Sequence, residues 1–221
     1  MFFSILSVIF GYTFAIKIME RGERNAHEIY LRLASEIPEA ERIAQEEVLH
    51  EEQIINLLDE DRLQYVGSMV LGLNDALVEL TGTLVGLSFA LKDTKIVALS
   101  GLITGISATL SMASSEYLSA RSEGNPNALK ASFYTGIMYI VAVACLVAPY
   151  LIIPSDGYLK ALAVMVLVVI SLILTFTYYI SVARDLPFLQ KFFEMASISL
   201  SVAGLSFLVG YGVKHFLGIE I

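Results

Sequence analysis

The sequence predicts an all-α membrane protein in which an N-terminal pair of helices precedes a bundle of five spanning helices. Of its 221 residues, 56% are hydrophobic and only 16% are charged, and the mean hydropathy is +0.71, which is far more apolar than a soluble domain. The acidic residues are concentrated at one end, since residues 1–62 hold 13 Asp/Glu against 6 Lys/Arg. We therefore expect an N-terminal domain over residues 1–62 and a transmembrane domain over residues 63–221.

Five stretches of the second domain are long and apolar enough to cross a bilayer, which takes about 20 helical residues. They lie near 66–91, 96–120, 131–153, 158–183 and 192–213. Turn-forming residues separate several of them, namely KDTK at 92–95, EGNPN at 123–127, IPSDG at 153–157 and RDLP at 184–187. Because every connection is short, any soluble chemistry must belong to the N-terminal region.

The N-terminal region predicts two helices, over residues 17–35 and 39–60, and Pro38 suits a helix start. Residues 2–16 are apolar but shorter than a usual span, and they lack the basic segment and cleavage site of a signal peptide. They form either the apolar start of the first soluble helix, buried in an oligomer, or, together with residues 17–19, a sixth membrane helix. Both interpretations stay open.

Composition excludes several partners. The acidic N-terminal region repels phosphate groups and attracts cations, so we expect no nucleic-acid partner. The single cysteine, Cys145, excludes a disulfide framework and a cysteine-based zinc site.

Two sets of residues carry candidate chemistry. In RIAQEEVLHEEQ (42–53), Glu47 and His50 lie three residues apart, on one helical face, where they form either a solvated acidic surface or a pair of metal ligands. The first two spanning segments each carry an i, i+4 pair, Asp75 with Glu79 and Met112 with Glu116. Ionisable groups are costly inside a bilayer and by default mark a polar pathway or a paired site. The alternatives are that the two acids of the first segment lie near the membrane interface and snorkel, and that Met112 only packs. Segments three to five carry almost none before their ends and are interpreted as scaffold.

The membrane candidates carry a family resemblance. The stretch from 67 to 123, with LNDALVELTGTLVGLSFAL and GLITGISATLSMASSEYLSARSE, resembles the vacuolar iron transporter family. The resemblance implies that Asp75 and Met112 belong to the translocation pathway, together with the acidic Glu116. It also implies a homodimer that exports ferrous iron, or a related divalent metal such as manganese, from the cytosol in exchange for protons, along a path between the protomers. Glu79 is an additional acid by comparison with the family.

Two smaller departures from that family are Ala76 and Ser115, which stand where glycine is usual. The metal-binding insertion that plant members carry between their second and third helices is absent from this sequence.

The N-terminal region resembles half of a rubrerythrin or ferritin-like bundle, on the spacing of Glu23, Tyr30 and Ala34 and on the helix IAQEEVLH (43–50). A di-iron bundle uses one Glu from each of two helices and Glu-x-x-His from each of two others. The resemblance implies that Glu23, Glu47 and His50 form one half-site, which a second protomer completes. One-turn shifts in register leave four alternatives, namely Glu20, His27, Glu46 and Glu51. Fe²⁺ is the expected metal, with Mn²⁺ or Zn²⁺ as alternatives.

Three functions compete at this level. The first is a homodimeric metal transporter with a ferritin-like module, whose possible extension is ferroxidase activity at the N-terminal di-metal site. The others are a membrane-anchored di-iron oxidase or peroxidase and a metal-regulated interaction protein. The intramembrane acids favour the transporter, because a plain anchor has no use for costly charges. The predicted topology has four Lys/Arg on each side, so the positive-inside rule does not orient the chain. The transporter resemblance implies that residues 17–65 are cytosolic and that the protein lies in the cell membrane of a prokaryote.

Overall fold

Five long helices make up most of the part of the chain that the structure describes. The computed structural model describes residues 14–18, 65–184 and 186–217, except the side chains of 210 and 213–217. The helices are α1 (Val66–Leu91), α2 (Thr94–Ser122), α3 (Ala128–Ile152), α4 (Tyr158–Ala183) and α5 (Phe188–Leu217). No strand occurs among the described residues. The all-α class and the five predicted spanning segments are confirmed.

The helices have the dimensions of membrane spans. The shortest, α3, has 25 residues, and about 20 residues rising 1.5 Å each are enough to cross the hydrocarbon core. All five are apolar enough to lie in lipid. The described part of the chain is therefore that of a multi-pass integral membrane protein.

The predicted turns end the helices by identifiable chemistry. Lys92 adopts the left-handed conformation with φ of 53° after α1, and the Asp93 side chain then caps α2 by accepting hydrogen bonds from the backbone N–H groups of Lys95 and Ile96. Between α2 and α3, Gly124 has a φ of 78°, a conformation in which glycine carries no steric penalty. These turns keep consecutive helices close to each other along the chain.

Helix α1 contacts α2, α3 and α5. One of its faces carries four leucines at intervals of three or four residues, Leu73, Leu77, Leu80 and Leu84, and all four are fully buried. Lipid tails are as apolar as leucine, so this burial stabilises the bundle through close packing contacts more than through release of water. The acids of α1 thus stand on the helix with the most neighbours among those described.

Helices α1 and α3 approach each other closely at Gly72. A Cβ on this residue would collide with the backbone carbonyl oxygen of Thr135 on α3. The Thr135 hydroxyl in turn donates to the backbone oxygen of Ser68 at 3.0 Å. Glycine at position 72 therefore allows α1 and α3 to touch by their backbones, next to the beginning of the acidic stretch of α1.

The two G-x-x-x-G motifs also lie at close approaches. Gly82 and Gly86 face α5, where a Cβ would meet Ser206, whereas Gly101 and Gly105 of α2 face side chains of α1 and α3. The first motif thus packs against α5, and the second packs against both α1 and α3.

The chain separates into two units. One holds residues 65–178 and 187–217, which include every membrane residue singled out from the sequence. Helix α4 carries four fully buried side chains at four-residue intervals, Ala161, Met165, Val169 and Ile173. The described residues of the other unit are 14–18, 179–184 and 186, where the rings of Phe14 and Tyr179 lie 5.2 Å apart between centroids.

Candidate functional site

Glu79 on α1 is bound by a tyrosine from α3. The Tyr139 hydroxyl donates a hydrogen bond to Oε2 of Glu79 at 2.8 Å. Tyr139 is 0% exposed, and a buried tyrosine hydroxyl needs such an acceptor. A hydrogen bond to a carboxylate is shorter and stronger than one between neutral groups. The Glu79 side chain is otherwise exposed, and this contact orients it.

Glu116 on α2 is bound in a similar way by a serine from α1. The Ser68 hydroxyl donates to Oε1 of Glu116 at 2.7 Å, and the backbone oxygen of Ser68 accepts from Thr135 of α3. Three helices are therefore joined through one residue. Ser68 lies seven residues before Asp75, two turns or about 10 Å along the same face of α1, so the acid of α2 is held on the face of α1 that carries Asp75.

Asp75 and Met112, the i, i+4 neighbours of these two carboxylates, are both half-buried. Asp75 lies one turn before Glu79 on α1, and Met112 lies one turn before Glu116 on α2, as the sequence spacing predicted. Beside Asp75, the side-chain oxygen Oδ1 of Asn74 is buried and has no hydrogen-bond partner among the residues that the structure describes. A buried acceptor without a donor is costly, so this point of α1 is unusually polar for a packed membrane helix.

One protomer does not gather these ligands around one point. Within residues 14–18, 65–184 and 186–217, no group of three or more His, Cys, Asp or Glu side chains is close enough to hold a metal ion. The structure instead gives two separate hydrogen-bonded pairs, Glu79 with Tyr139 and Glu116 with Ser68.

The face of α2 next to these pairs is uncovered and rich in serine. The hydroxyl residues of this face are exposed at Ser107, Ser111, Ser114, Ser115 and Ser119. Large apolar side chains such as Ile103 and Leu110 are exposed along the same helix. Small polar residues are typical of contacts between membrane helices, where they allow backbones to approach and hydrogen bonds to form. This face is therefore better suited to another helix than to lipid.

Sequence reasoning missed Ser68 and Tyr139. It interpreted α3 as scaffold because that segment carries almost no ionisable groups, and the interpretation overlooked the hydroxyl of Tyr139. The available signal was a tyrosine inside an otherwise apolar segment, since its O–H must find a partner. Which partner it finds depends on the packing of α1 against α3, and no spacing within one helix reveals that.

The N-terminal candidates fall outside the described residues. They are Glu20, Glu23, His27, Glu46, Glu47, His50 and Glu51. The predicted hairpin over residues 1–62 falls there as well, apart from the helical residues 14–18. That short helical piece is compatible with both interpretations of the apolar N-terminal stretch.

The model of the VIT family matches residues 66–125, which comprise α1, α2 and the turn that follows them. The matched residues include the three acids Asp75, Glu79 and Glu116 and the thioether of Met112. The chain is therefore similar to the VIT family over the two helices that carry the candidate acids. No curated protein matches the chain.

Proposed function

We propose that this protein is a homodimeric transporter that moves ferrous iron, or a related divalent metal such as manganese, out of the cytosol in exchange for protons. In this proposal Asp75, Glu79, Met112 and Glu116 line the pathway. The family match over α1 and α2 supports a transporter of this class.

The observation that carries the proposal is the presence of three carboxylates inside two adjacent spanning helices, two of them held by hydroxyls from neighbouring helices. A charged side chain within a bilayer costs several kcal/mol, about 2.5 or more. A helix that serves only as an anchor would lose nothing by replacing these acids with leucine. This argument disfavours the alternative of a membrane-anchored di-iron oxidase or peroxidase that does not transport.

The ligand types suit the proposed metal. Carboxylate oxygens bind manganese and ferrous iron, and the softer thioether of Met112 favours transition metals over Mg²⁺ and Ca²⁺. Geometry and availability decide between iron and manganese more than intrinsic affinity does. Both metals therefore remain within the proposal, with iron as the expected physiological substrate.

A dimer would complete the ligand set. One protomer's described residues do not bring three acidic ligands together, and the serine face of α2 next to Glu116 is uncovered. A second copy placed on that face would bring a second set of α1 and α2 ligands to the same axis, because a two-fold interface repeats each contact. The pathway would then lie between the protomers.

Proton exchange follows from the chemistry of carboxylate ligands. A carboxyl group must lose its proton to bind a metal, so binding and release of metal are coupled to release and uptake of protons. If the site returns across the membrane without metal and in its protonated form, protons move in the direction opposite to the metal.

The N-terminal region would add a metal store or sensor on the cytosolic side. The proposal places residues 17–65 in the cytosol of a prokaryotic cell, where Glu23, Glu47 and His50 of two protomers would hold a di-iron centre. Ferroxidase activity at that centre is the enzymatic extension of the proposal. These statements rest on the sequence patterns alone.

Flux in proteoliposomes tests the proposal directly. Purified protein would be reconstituted with a metal-sensitive dye inside the vesicles, and Mn²⁺, which resists oxidation by air, would be added outside with and without an imposed pH gradient. A transporter gives protein-dependent flux that the gradient accelerates or slows according to its direction. Vesicles no more permeable than protein-free vesicles would refute transport, and flux insensitive to the gradient would refute proton exchange.

A further inference from the structure

Glu79 and Glu116 each accept a hydrogen bond through one carboxylate oxygen and not through the other, among the residues that the structure describes. In Glu79, Oε2 accepts the Tyr139 hydroxyl, and in Glu116, Oε1 accepts the Ser68 hydroxyl. Neither glutamate's second oxygen accepts a hydrogen bond from the residues that the structure describes. Each carboxylate therefore has one oxygen engaged by the protein and one left for another ligand.

The engaged oxygen at Glu79 is held firmly. Tyr139 is 0% exposed, so its ring has no space into which it could swing without disturbing packed neighbours. The hydroxyl thus restrains the position of Oε2. A cation that approaches Glu79 meets one oxygen that the protein engages and one that it leaves free.

Cations differ in how well they tolerate this arrangement. Ca²⁺ takes six to eight oxygen ligands at about 2.3–2.6 Å and often chelates both oxygens of a carboxylate. Smaller divalent ions need fewer oxygens at shorter distances, about 2.0–2.2 Å, and accept one oxygen per carboxylate. A site built from one-oxygen carboxylates supplies fewer donors to the larger ion than two-oxygen carboxylates would.

We propose that Tyr139 and Ser68 are specificity-determining positioning residues, which hold Glu79 and Glu116 as one-oxygen ligands and so make the pathway reject Ca²⁺ in favour of Mn²⁺ and Fe²⁺. This inference rests on the proposed transport function and adds the residues that select the substrate. The hydroxyls themselves do not bind the metal. They act by fixing the carboxylates that do.

Tyr139→Phe is the direct test, because it removes the hydroxyl and keeps the ring. The chain offers a matched control in Tyr150→Phe, since Tyr150 is also 0% exposed on α3 and its hydroxyl is hydrogen-bonded at 2.8 Å to Ser88, which is not a carboxylate. The measurement is the concentration of Ca²⁺ that halves Mn²⁺ flux into dye-loaded proteoliposomes. We expect Tyr139→Phe to lower that concentration about tenfold, the effect of losing one hydrogen bond to a charged group. Tyr150→Phe should leave it unchanged.

A double variant shows whether Tyr139 acts through Glu79. In the Glu79→Gln background the sensitivity is measured as the Ca²⁺ concentration that halves Mn²⁺ binding to the purified protein, so that the result does not depend on flux. The second oxygen is replaced by an amide NH₂, which does not bind cations, so Tyr139→Phe should no longer change this concentration. A purely structural role of Tyr139 would give the same change in both backgrounds. Ser68→Ala applies the same test at Glu116 with a smaller alteration, and we expect it to raise Ca²⁺ sensitivity in the same direction.

The outcomes separate this inference from the function on which it rests. Wild-type vesicles without Mn²⁺ flux would overturn both. Wild-type flux, with a Ca²⁺ sensitivity that Tyr139→Phe changes no more than Tyr150→Phe does, would overturn the inference and leave the transporter standing. An equal change from Tyr139→Phe with and without Glu79 would also overturn it.

Discussion

Replacing Gly72 by alanine should destabilise the bundle at the contact that positions the candidate pathway. The added Cβ would lie 3.0 Å from the carbonyl carbon and 3.1 Å from the Cα of Thr135 and nearer still to the carbonyl oxygen. Carbon atoms in ordinary contact are about 3.5–4.0 Å apart. The clashing atoms belong to the backbone, so no side chain can rotate away, and α1 and α3 must separate by roughly 1 Å to restore an ordinary contact with the carbonyl oxygen.

The size of the effect follows from two opposing contributions. Overpacking of this kind costs about 1–3 kcal/mol, and a contact with backbone places Gly72→Ala near the upper end. Alanine in place of glycine within a helix returns about 1 kcal/mol. The net loss is therefore about 2 kcal/mol in the free energy of unfolding. Separation of the helices would also stretch the hydrogen bond between Thr135 and Ser68, and thereby disturb the residue that holds Glu116.

Gly204→Ala is the matched control, since a Cβ at Gly204 on α5 meets nothing within 4 Å. It should gain up to about 1 kcal/mol, so the two variants should differ by about 3 kcal/mol. Unfolding by SDS in mixed micelles, followed by circular dichroism, measures both. Equal stability of Gly72→Ala and Gly204→Ala would refute the reasoning that backbone contact at Gly72 sets the spacing of α1 and α3.

Two further predictions concern Met112 and His50, two of the proposed metal ligands. Met112→Leu should keep the packing volume and reduce Mn²⁺ flux only modestly, because the thioether alone is lost; flux at the wild-type rate would show that Met112 only packs. Wild-type dimer titrated anaerobically with Fe²⁺ should bind about two ions at the N-terminal centre, and His50→Ala should lose them from both half-sites because symmetry repeats the substitution. Unchanged binding stoichiometry in His50→Ala would mean that the stretch 42–53 is a solvated helix.

The helices of the membrane domain could be predicted closely from the sequence. A run of about 20 apolar residues has few alternatives to a helix in lipid, because every backbone polar group must be satisfied within the segment. The turns were equally accessible, since Asp93 and Gly124 supply a cap and a left-handed residue that local chemistry requires. These features depend on neighbours along the chain.

The candidate site could be predicted only in part, because its contacts join different helices. Asp75 and Glu79 were visible as an i, i+4 pair of costly charges in one helix. The donors Ser68 and Tyr139 were not, since their hydrogen bonds span 48 and 60 residues of sequence. An ordinary serine or tyrosine becomes significant only when the packing of α1 places a carboxylate opposite it.

Mn²⁺ flux through variants that lack one pathway carboxylate tests the central claim most directly. Asp75→Ala and Glu116→Ala should each abolish flux and leave a folded dimer, because each removes a ligand without opening a large cavity in the core. The control is Glu194→Ala, which removes an exposed carboxylate whose 2.8 Å ion pair with Lys191 lies within one turn of α5 and contributes little to stability. We expect no Mn²⁺ flux in Asp75→Ala and Glu116→Ala and wild-type flux in Glu194→Ala. Wild-type flux in folded Asp75→Ala or Glu116→Ala would contradict this expectation.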